Sequence, residues 1–188
     1  TLTGNDQNNV LDGREGNDSL IGGAGDDQLL GGSGANRFNG GDGNDTILAS
    51  IGSADISVYS VGDDQDVYYD LEAVDRIYVT GYNSAQSITQ VGADVVVVFA
   101  AGDQITFRGT SLETVNSALV FGTSPPIVGT PGDDTLVGSE LRDIIDGQGG
   151  NDTLVGNGGD DQLSGGAGND VFSDGMGNDI IDGGAGID

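Results

Sequence analysis

The sequence predicts an all-β fold in which two solenoid blocks are joined by a strand-rich segment. Two observations predict it: large apolar residues recur every nine residues at both ends of the chain, and 36 of the 188 residues are glycine. A period of nine fits neither the turn of an α-helix nor simple strand alternation, so each unit must contain a turn and a short strand. Interior glycines cost a helix about 1 kcal/mol each relative to alanine, which excludes a helical bundle.

The first block covers residues 1–48. Written from Gly4 as nonapeptides, it reads GNDQNNVLD, GREGNDSLI, GGAGDDQLL, GGSGANRFN and GGDGNDTIL. Glycines at positions 1, 2 and 4 favour a tight turn because they allow positive φ, and the last three positions favour a strand with one inward side chain. The predicted inward residues are Leu2, Leu11, Leu20, Leu29, Phe38 and Ile47.

The segment from 49 to 126 is predicted to contain degenerate coils, a cap and a linker. The nine-residue register continues through Ile56, and Asp66 and Asp75 are nine apart, with Tyr68 and Ile77 at the apolar place. Three strand-like runs follow and predict an antiparallel meander. These runs are Ser87–Val91, Asp94–Ala100 and Gln104–Arg108, and Thr123–Pro126 is the predicted linker.

The second block covers residues 127–188 and is out of register with the first. It reads GTPGDDTLV, GSELRDIID, GQGGNDTLV, GNGGDDQLS, GGAGNDVFS and DGMGNDIID before a last partial unit. The unit GSELRDIID is the most irregular, since Leu141 and Arg142 replace the turn glycine and its polar neighbour. We expect this block to be truncated at residue 188 and the chain to be part of a longer array. The predicted inward residues are Leu136, Ile145, Leu154, Leu163, Phe172 and Ile181.

Charge and composition limit the possible partners. The chain has 31 acidic and 5 basic residues, a formal net charge of −26, and neither histidine nor cysteine. Nothing neutralises phosphates, so a nucleic-acid partner is excluded, and imidazole and thiolate metal sites are excluded as well. The longest apolar run, Val95–Ala101, is too short for a transmembrane segment. High charge with only 35% hydrophobic residues is typical of disorder, which favours a fold that needs a cation.

Both blocks share the consensus GGxGxDxUx, where U is apolar, and this pattern resembles the repeats-in-toxin (RTX) domains of bacterial proteins exported by type I secretion. The resemblance implies a parallel β-roll in which two nonapeptides make one coil. It also implies Ca²⁺ as cofactor, the type I secretion apparatus as a partner during export, and a secreted or cell-surface location in bacteria. The stretches DRIYVTG, ITQVGADVVVVF and GDQITFRG resemble the non-repeat segment that closes such rolls in serralysin-type proteases.

Position 6 of each unit carries the candidate calcium ligands. Stacking of alternate units places these side chains roughly 5 Å apart, where carboxylates repel by a few kcal/mol unless a cation lies between them. Carboxylates and turn carbonyls suit the oxygen-rich shell of Ca²⁺ better than the octahedron of Mg²⁺. Pairing alternate units predicts roughly eight ions. The candidates are Asn9, Asp18, Asp27, Asn36, Asp45, Asp134, Asp143, Asp152, Asp161, Asp170, Asp179 and Asp188.

Aspartate at position 6 also suits a metal-free glycine turn through Asx hydrogen bonds, and this alternative stays open. Asn9 and Asn36 remove charge from the first block, so we expect the second block to bind calcium more tightly. The acids at position 5, which are Asp26, Asp133 and Asp160, are expected to be solvated.

Two features of the central segment have alternative interpretations. The cluster of Asp63, Asp64 and Asp66 is either a solvated loop, which we favour, or an additional calcium site. The tyrosines either pack inside the cap or offer a platform for a polysaccharide. They are Tyr59, Tyr68, Tyr69, Tyr78 and Tyr82.

The sequence predicts no enzyme, because without histidine or cysteine it has no Ser-His-Asp set, no Cys-His set and no HExxH motif. We therefore expect a calcium-dependent folding and structural module of a larger extracellular protein. The alternative is a module of an adhesin or S-layer protein that binds a polysaccharide or a neighbouring subunit through the central segment.

Overall fold

Nearly every element of the computed structural model, which describes residues 1–82 and 84–188, is a β-strand. The chain forms two compact units, Thr1–Phe121 and Gly122–Asp188. Most strands pair in parallel with the strand two places further along the chain, as in a solenoid. The predicted all-β class with parallel β-rolls is therefore confirmed.

In the first unit, successive strands of the repeat block alternate between two sheets. Leu2 lies opposite Leu20, and Leu11 lies opposite Leu29, so apolar side chains from alternate units form ladders. The repeat strands are β1 (Leu2–Thr3), β2 (Val10–Asp12), β3 (Ser19–Ala24), β4 (Gln28–Leu30), β5 (Arg37–Asp42) and β6 (Thr46–Leu48).

The coils become longer after residue 48. In β7 (Ile56–Tyr59), Ser57 lies opposite Phe38 and is buried, whereas Ile56 lies opposite Arg37 and is only half-buried. The prediction that Ile56 continues the apolar ladder is wrong, because one additional residue in the coil exchanges the two faces of the strand. The next strands are β8 (Gln65–Tyr69) and β9 (Arg76–Val79), where Tyr68 and Ile77 are buried as predicted.

The predicted antiparallel meander is confirmed. β10 (Ser87–Val91) pairs with β11 (Asp94–Val98), and β11 pairs with β12 (Gln104–Phe107), both in antiparallel fashion. β12 then pairs in parallel with β8, so the meander extends the sheet of the roll. The resulting seven-stranded sheet has the order β10-β11-β12-β8-β6-β4-β2.

A 3-10 turn at Ala100–Gly102 precedes β12, and a short helix, α1 (Leu112–Ala118), follows it. The helix was not predicted. The Oγ atom of Ser111 caps it by accepting the N–H of Thr114 at 3.2 Å, and it buries Val115. Seven residues are too few for a helical apolar period to stand out in the sequence. β13 (Leu119–Phe121) then completes the six-stranded sheet β1-β3-β5-β7-β9-β13.

The second unit is a smaller roll with a four-stranded and a three-stranded sheet. Its buried core consists of Ile145, Leu154 and Leu163, a much smaller set than that of the first unit. Within the part of the chain that the structure describes, no helix is long and apolar enough to cross a membrane. The strands are β14 (Ile127–Val128), β15 (Thr135–Val137), β16 (Ile144–Asp146), β17 (Thr153–Val155), β18 (Gln162–Ala167), β19 (Val171–Ser173) and β20 (Ile180–Ala185).

Candidate metal-binding turns

Hydrogen bonds join the position-6 side chains into rows along each roll. The backbone N–H of Asp134 donates to Oδ1 of Asp152 at 2.8 Å, and the N–H of Asp152 donates to Oδ1 of Asp170 at 2.8 Å. The structure thus brings together the side chains of alternate units, as the period predicts. The same bond links Asn9 to Asp27, Asp18 to Asn36, Asp27 to Asp45, Asp143 to Asp161, Asp161 to Asp179 and Asp170 to Asp188.

These rows continue beyond the predicted candidates. The N–H of Asn36 donates to Oδ1 of Asp55 at 2.7 Å, and the N–H of Asp45 donates to Oδ1 of Asp66 at 2.9 Å. Asp55 in turn donates its N–H to Oδ1 of Asp75 at 3.0 Å. Sequence reasoning missed Asp55 because the coil is one residue longer here, so Asp55 does not fall at a multiple of nine from the other candidates. The available signal was an aspartate that directly precedes the alternating strand Ile56–Tyr59.

The second carboxylate oxygen of many of these residues has no hydrogen-bond donor. A buried carboxylate oxygen without a donor is costly unless it is protonated or bound by a cation. Asp152 and Asp161 are each only 1% exposed, so water does not compensate their charge. The buried Oδ2 atoms without a partner belong to Asp18, Asp27, Asp45, Asp152, Asp161 and Asp170.

Backbone carbonyls converge on the same places. A Cβ atom added at Gly147 would lie 2.7 Å from the carbonyl oxygen of Gly165 and close to Oδ2 of Asp152. At Gly165, an added Cβ would contact Oδ2 of Asp170 and lie 2.8 Å from the carbonyl oxygen of Gly183. The glycine at position 1 is therefore required where a carboxylate and a carbonyl oxygen meet. An oxygen-only set of carboxylates and carbonyls fits Ca²⁺ and not a transition metal.

No three acidic side chains of the described residues gather closely enough to hold a metal by themselves. This agrees with the repeat, which supplies one inward carboxylate per turn and leaves the remaining ligands to backbone carbonyls. Asn36 fits this scheme poorly, because its Nδ2 atom donates to the carbonyl oxygen of Gly34 at 2.9 Å.

Burial changes the protonation of these carboxyl groups when no cation is bound. Removal from water, with repulsion from neighbouring carboxylates, raises the pKa of Asp45 to about 7 and the pKa of Asp66 to about 9. Burial also raises the pKa of Asp161 in the second unit. Each shift reports a negative charge that lacks compensation, which a divalent cation would supply.

The position-5 acids Asp26, Asp133 and Asp160 are exposed, as expected, and they form a second, outer row of hydrogen bonds. Oδ1 of Asp26 accepts the N–H of Asn44 at 3.0 Å, and this bond lowers the pKa of Asp26. Oδ1 of Asp133 and Oδ1 of Asp160 accept the corresponding N–H groups of the next coil, at 2.7 and 2.9 Å.

The acidic cluster of the central segment is only partly a solvated loop. Asp64 is exposed, but Asp63 and Asp66 are 4% and 2% exposed, so the favoured interpretation is wrong for these two residues. The lengthened coil turns them inward, where Asp63 accepts the backbone N–H of Ser60. Burial raises the pKa of Asp63 to about 6.

Three of the five tyrosines pack inside the first unit. The rings of Tyr59 and Tyr82 both stack on the ring of Phe99, with ring centroids 5.2 and 5.0 Å away. Tyr68 is also buried, and the hydroxyl of Tyr59 donates to the carbonyl oxygen of Asp64 at 2.8 Å. Packing of the cap therefore explains these three side chains.

Comparison with known proteins agrees with this geometry. A model of the RTX calcium-binding nonapeptide repeat matches the chain four times, at residues 1–29, 21–53, 128–163 and 155–188. No curated protein matches the chain. The crystal structure of the extracellular lipase LipA from Serratia marcescens is similar, with 27% identity and a TM-score of 0.54 over 63% of this chain. The match spans only 20% of that lipase. From the repeat matches and the roll that carries them, the chain belongs to the family of RTX calcium-binding nonapeptide repeats.

Proposed function

We propose that the chain is a structural module that folds when Ca²⁺ binds along the edges of its rolls, within a bacterial protein exported by type I secretion. One observation carries the proposal: buried Oδ2 atoms without a donor lie beside backbone carbonyls in turn after turn. The repeat family and the extracellular lipase with a similar fold both support an extracellular location in bacteria.

The two carboxylate oxygens of these aspartates have different partners, which supports this function. In all of the proposed ligands except Asp18, Oδ1 accepts an N–H group of the preceding coil, which orients the carboxylate. Oδ2 remains available as a hard ligand. When Ca²⁺ is bound, it supplies the positive charge that relieves repulsion within the row. The proposed ligands with a free Oδ2 are Asp18, Asp27, Asp45, Asp152, Asp161, Asp170, Asp179 and Asp188, and we retain roughly eight ions as the expected number.

Calcium concentration would then control folding. An ion that binds only the folded chain stabilises it by about 2.7 kcal/mol per site at a hundredfold excess over Kd. Ions in neighbouring turns act together because coils contact only their neighbours. The chain would stay unfolded in the calcium-poor cytosol, pass through the export channel and fold outside the cell.

We also keep the division into residues 1–48, 49–126 and 127–188 as a proposal about the roles of the segments. The central segment would cover one end of a sheet through β10 and β11. A polysaccharide platform has less support, because Tyr59, Tyr68 and Tyr82 are buried.

Circular dichroism combined with isothermal titration calorimetry tests the proposal. Calcium-free chain should show little β structure, and titration with Ca²⁺ should produce heat and a cooperative gain of β structure. Mg²⁺ at the same concentration is the matched control and should produce neither. A calcium-free chain that already has full β structure and releases no heat with Ca²⁺ would refute the proposal.

A further inference from the structure

In three repeat turns, the position-6 side chain is capped from within its own turn. The N–H of Ser139 donates to Oδ2 of Asp143 at 2.7 Å, and the Ser139 hydroxyl donates to the same oxygen at 3.1 Å. Both donors of Thr130 bind Oδ2 of Asp134 in the same way, at 2.6 and 2.9 Å. In the third turn, the N–H of Asn5 donates to Oδ1 of Asn9 at 2.7 Å. The capping residue is position 2 of the unit in each case.

Position 2 has a different backbone conformation in the turns whose Oδ2 is free. Arg14, Gln148 and Asn157 occupy it with φ of 71°, 67° and 74°, in the left-handed region that residues other than glycine rarely adopt. In the remaining free turns, position 2 is a glycine with positive φ, namely Gly23, Gly41, Gly166, Gly175 and Gly184. Every buried Oδ2 atom without a donor therefore lies four residues after a left-handed position 2, whereas in the capped turn of Asp143 the oxygen without a donor is Oδ1. Ser139, Thr130 and Asn5 are not left-handed.

We propose that the backbone conformation at position 2 decides whether a turn accepts calcium. A left-handed residue leaves Oδ2 open to the ion, whereas a residue outside that region closes the turn by aiming its N–H at the same oxygen. N–H and O–H donors put their positive ends where the ion would lie, so binding would require the loss of charge-assisted hydrogen bonds. On this inference, which rests on the proposed function, the turns of Asn9, Asp134 and Asp143 are closed and their side chains are not ligands through the capped oxygen.

The central segment uses the same closure at two aspartates, Asp55 and Asp75, that lie outside the residues that the family model matches. The N–H of Ser50 donates to Oδ2 of Asp55 at 2.9 Å, and the N–H of Glu72 donates to Oδ2 of Asp75 at 2.7 Å. Both aspartates remain in the rows through Oδ1. The fold therefore has a metal-free version of its turn.

The side chain at position 2 biases this choice. Threonine is β-branched and is strongly disfavoured at positive φ, and serine and threonine hydroxyls add a second donor to the carboxylate. Glycine adopts positive φ at no steric cost, and asparagine tolerates it better than most residues. In the irregular unit GSELRDIID, the residue that closes the turn is thus Ser139, and neither Leu141 nor Arg142.

A glycine substitution at a closed turn provides the first test. Native mass spectrometry of the whole chain at saturating Ca²⁺ should count about one more ion for Ser139→Gly than for the unchanged chain. Ser139→Ala is the matched control, since it removes the hydroxyl but keeps the capping N–H, and it should add no ion. An unchanged count for Ser139→Gly would overturn the inference and leave the proposed function intact. A chain that binds no Ca²⁺ before any substitution would overturn both.

The reverse substitution tests the inference independently if Ser139→Gly fails to fold. Asn157→Thr places a β-branched residue where φ is 74°, so the turn of Asp161 should close and lose about one ion. Asn157→Gly loses the same side chain but keeps the left-handed conformation, and it should lose none. Equal counts for these two variants would overturn the inference.

Discussion

Asp170 accepts the backbone N–H of Asp152, its counterpart one coil earlier, at 2.8 Å. One oxygen of Asp170 thus ties two coils together while the other has no donor. Loss of this carboxylate would remove a ligand from one turn and leave a buried N–H without an acceptor in another. Because the bond repeats along each row, the stability of a turn depends on its neighbours.

Asp152→Ala is expected to weaken calcium binding more than Asp18→Ala. Asp152 is 1% exposed and lies in a row that contains only aspartates, whereas the row of Asp18 continues through Asn36. An N–H left without an acceptor adds about 1–3 kcal/mol where it is buried. The calcium concentration at half-maximal β structure, followed by circular dichroism, should rise more for Asp152→Ala. Equal calcium midpoints for the two variants would contradict the expectation that the second block binds calcium more tightly.

Calcium removal should unfold the second unit before the first, even though its turns are expected to bind calcium more tightly, because folding of the first unit depends less on the ion. The core of the second unit has three fully buried apolar residues, Ile145, Leu154 and Leu163, whereas the cap gives the first unit a far larger core. Hydrogen–deuterium exchange during stepwise calcium removal should therefore show loss of protection in 122–188 at higher free calcium than in 1–121. Simultaneous loss of protection in both ranges would argue against this order.

The metal-free first unit should be more stable in mild acid than in mild alkali. Burial raises the pKa of Asp45 to about 7 and of Asp66 to about 9, above the unfolded value of about 3.9. The folded state therefore binds these protons more tightly, and the resulting stability is full below about pH 4 and is lost as the pH rises through these pKa values.

Near-UV circular dichroism can follow this unit alone, because all five tyrosines lie within it. In dialysed, calcium-free chain, the near-UV signal of the folded unit should be stronger at pH 5 than at pH 8, and Asp66→Asn should flatten the dependence. In calcium the trend should reverse, since protons compete with the ion. A calcium-free near-UV signal that is independent of pH would contradict the assignment.

Tyr82→Phe should destabilise the first unit by about 1–3 kcal/mol, because the buried carboxylate of Asp103 would lose the donated hydroxyl. Urea unfolding in saturating calcium measures this change. Tyr69→Phe is the control, since Tyr69 is 39% exposed, and its effect should stay within about 0.5 kcal/mol. Equal effects of the two substitutions would show that the Tyr82 hydroxyl contributes nothing specific.

The nine-residue period predicted the strands, the inward apolar residues and the rows of position-6 side chains, because each follows from stacking equal units. The exception among the inward residues is Ile181 in the last strand, which is 45% exposed. The period failed where the units stop being equal. Ile56 does not face the core, and Asp55 was missed, because the coil is one residue longer than the period. The longer coil still forms the same hydrogen bonds, but its residues no longer fall at multiples of nine. The role of Ser139 was not predicted either, because it depends on the backbone φ angle at position 2, which the sequence alone does not give.

The backbone conformation at position 2 limits which coils can stack next to one another in the roll. Cβ atoms added at Gly166 and Gly175 would collide with the carbonyl oxygens of Gln148 and Asn157 in the preceding coil. A coil with side chains at position 2 therefore cannot follow another coil of its own kind, and Gln148 and Asn157 both follow closed turns. Tandem duplication of residues 165–182 would extend the array smoothly, whereas duplication of residues 147–164 would place Gln148 and Asn157 against their own copies. Tandem duplication thus fits the backbone only for coils that have glycine at position 2 of both units.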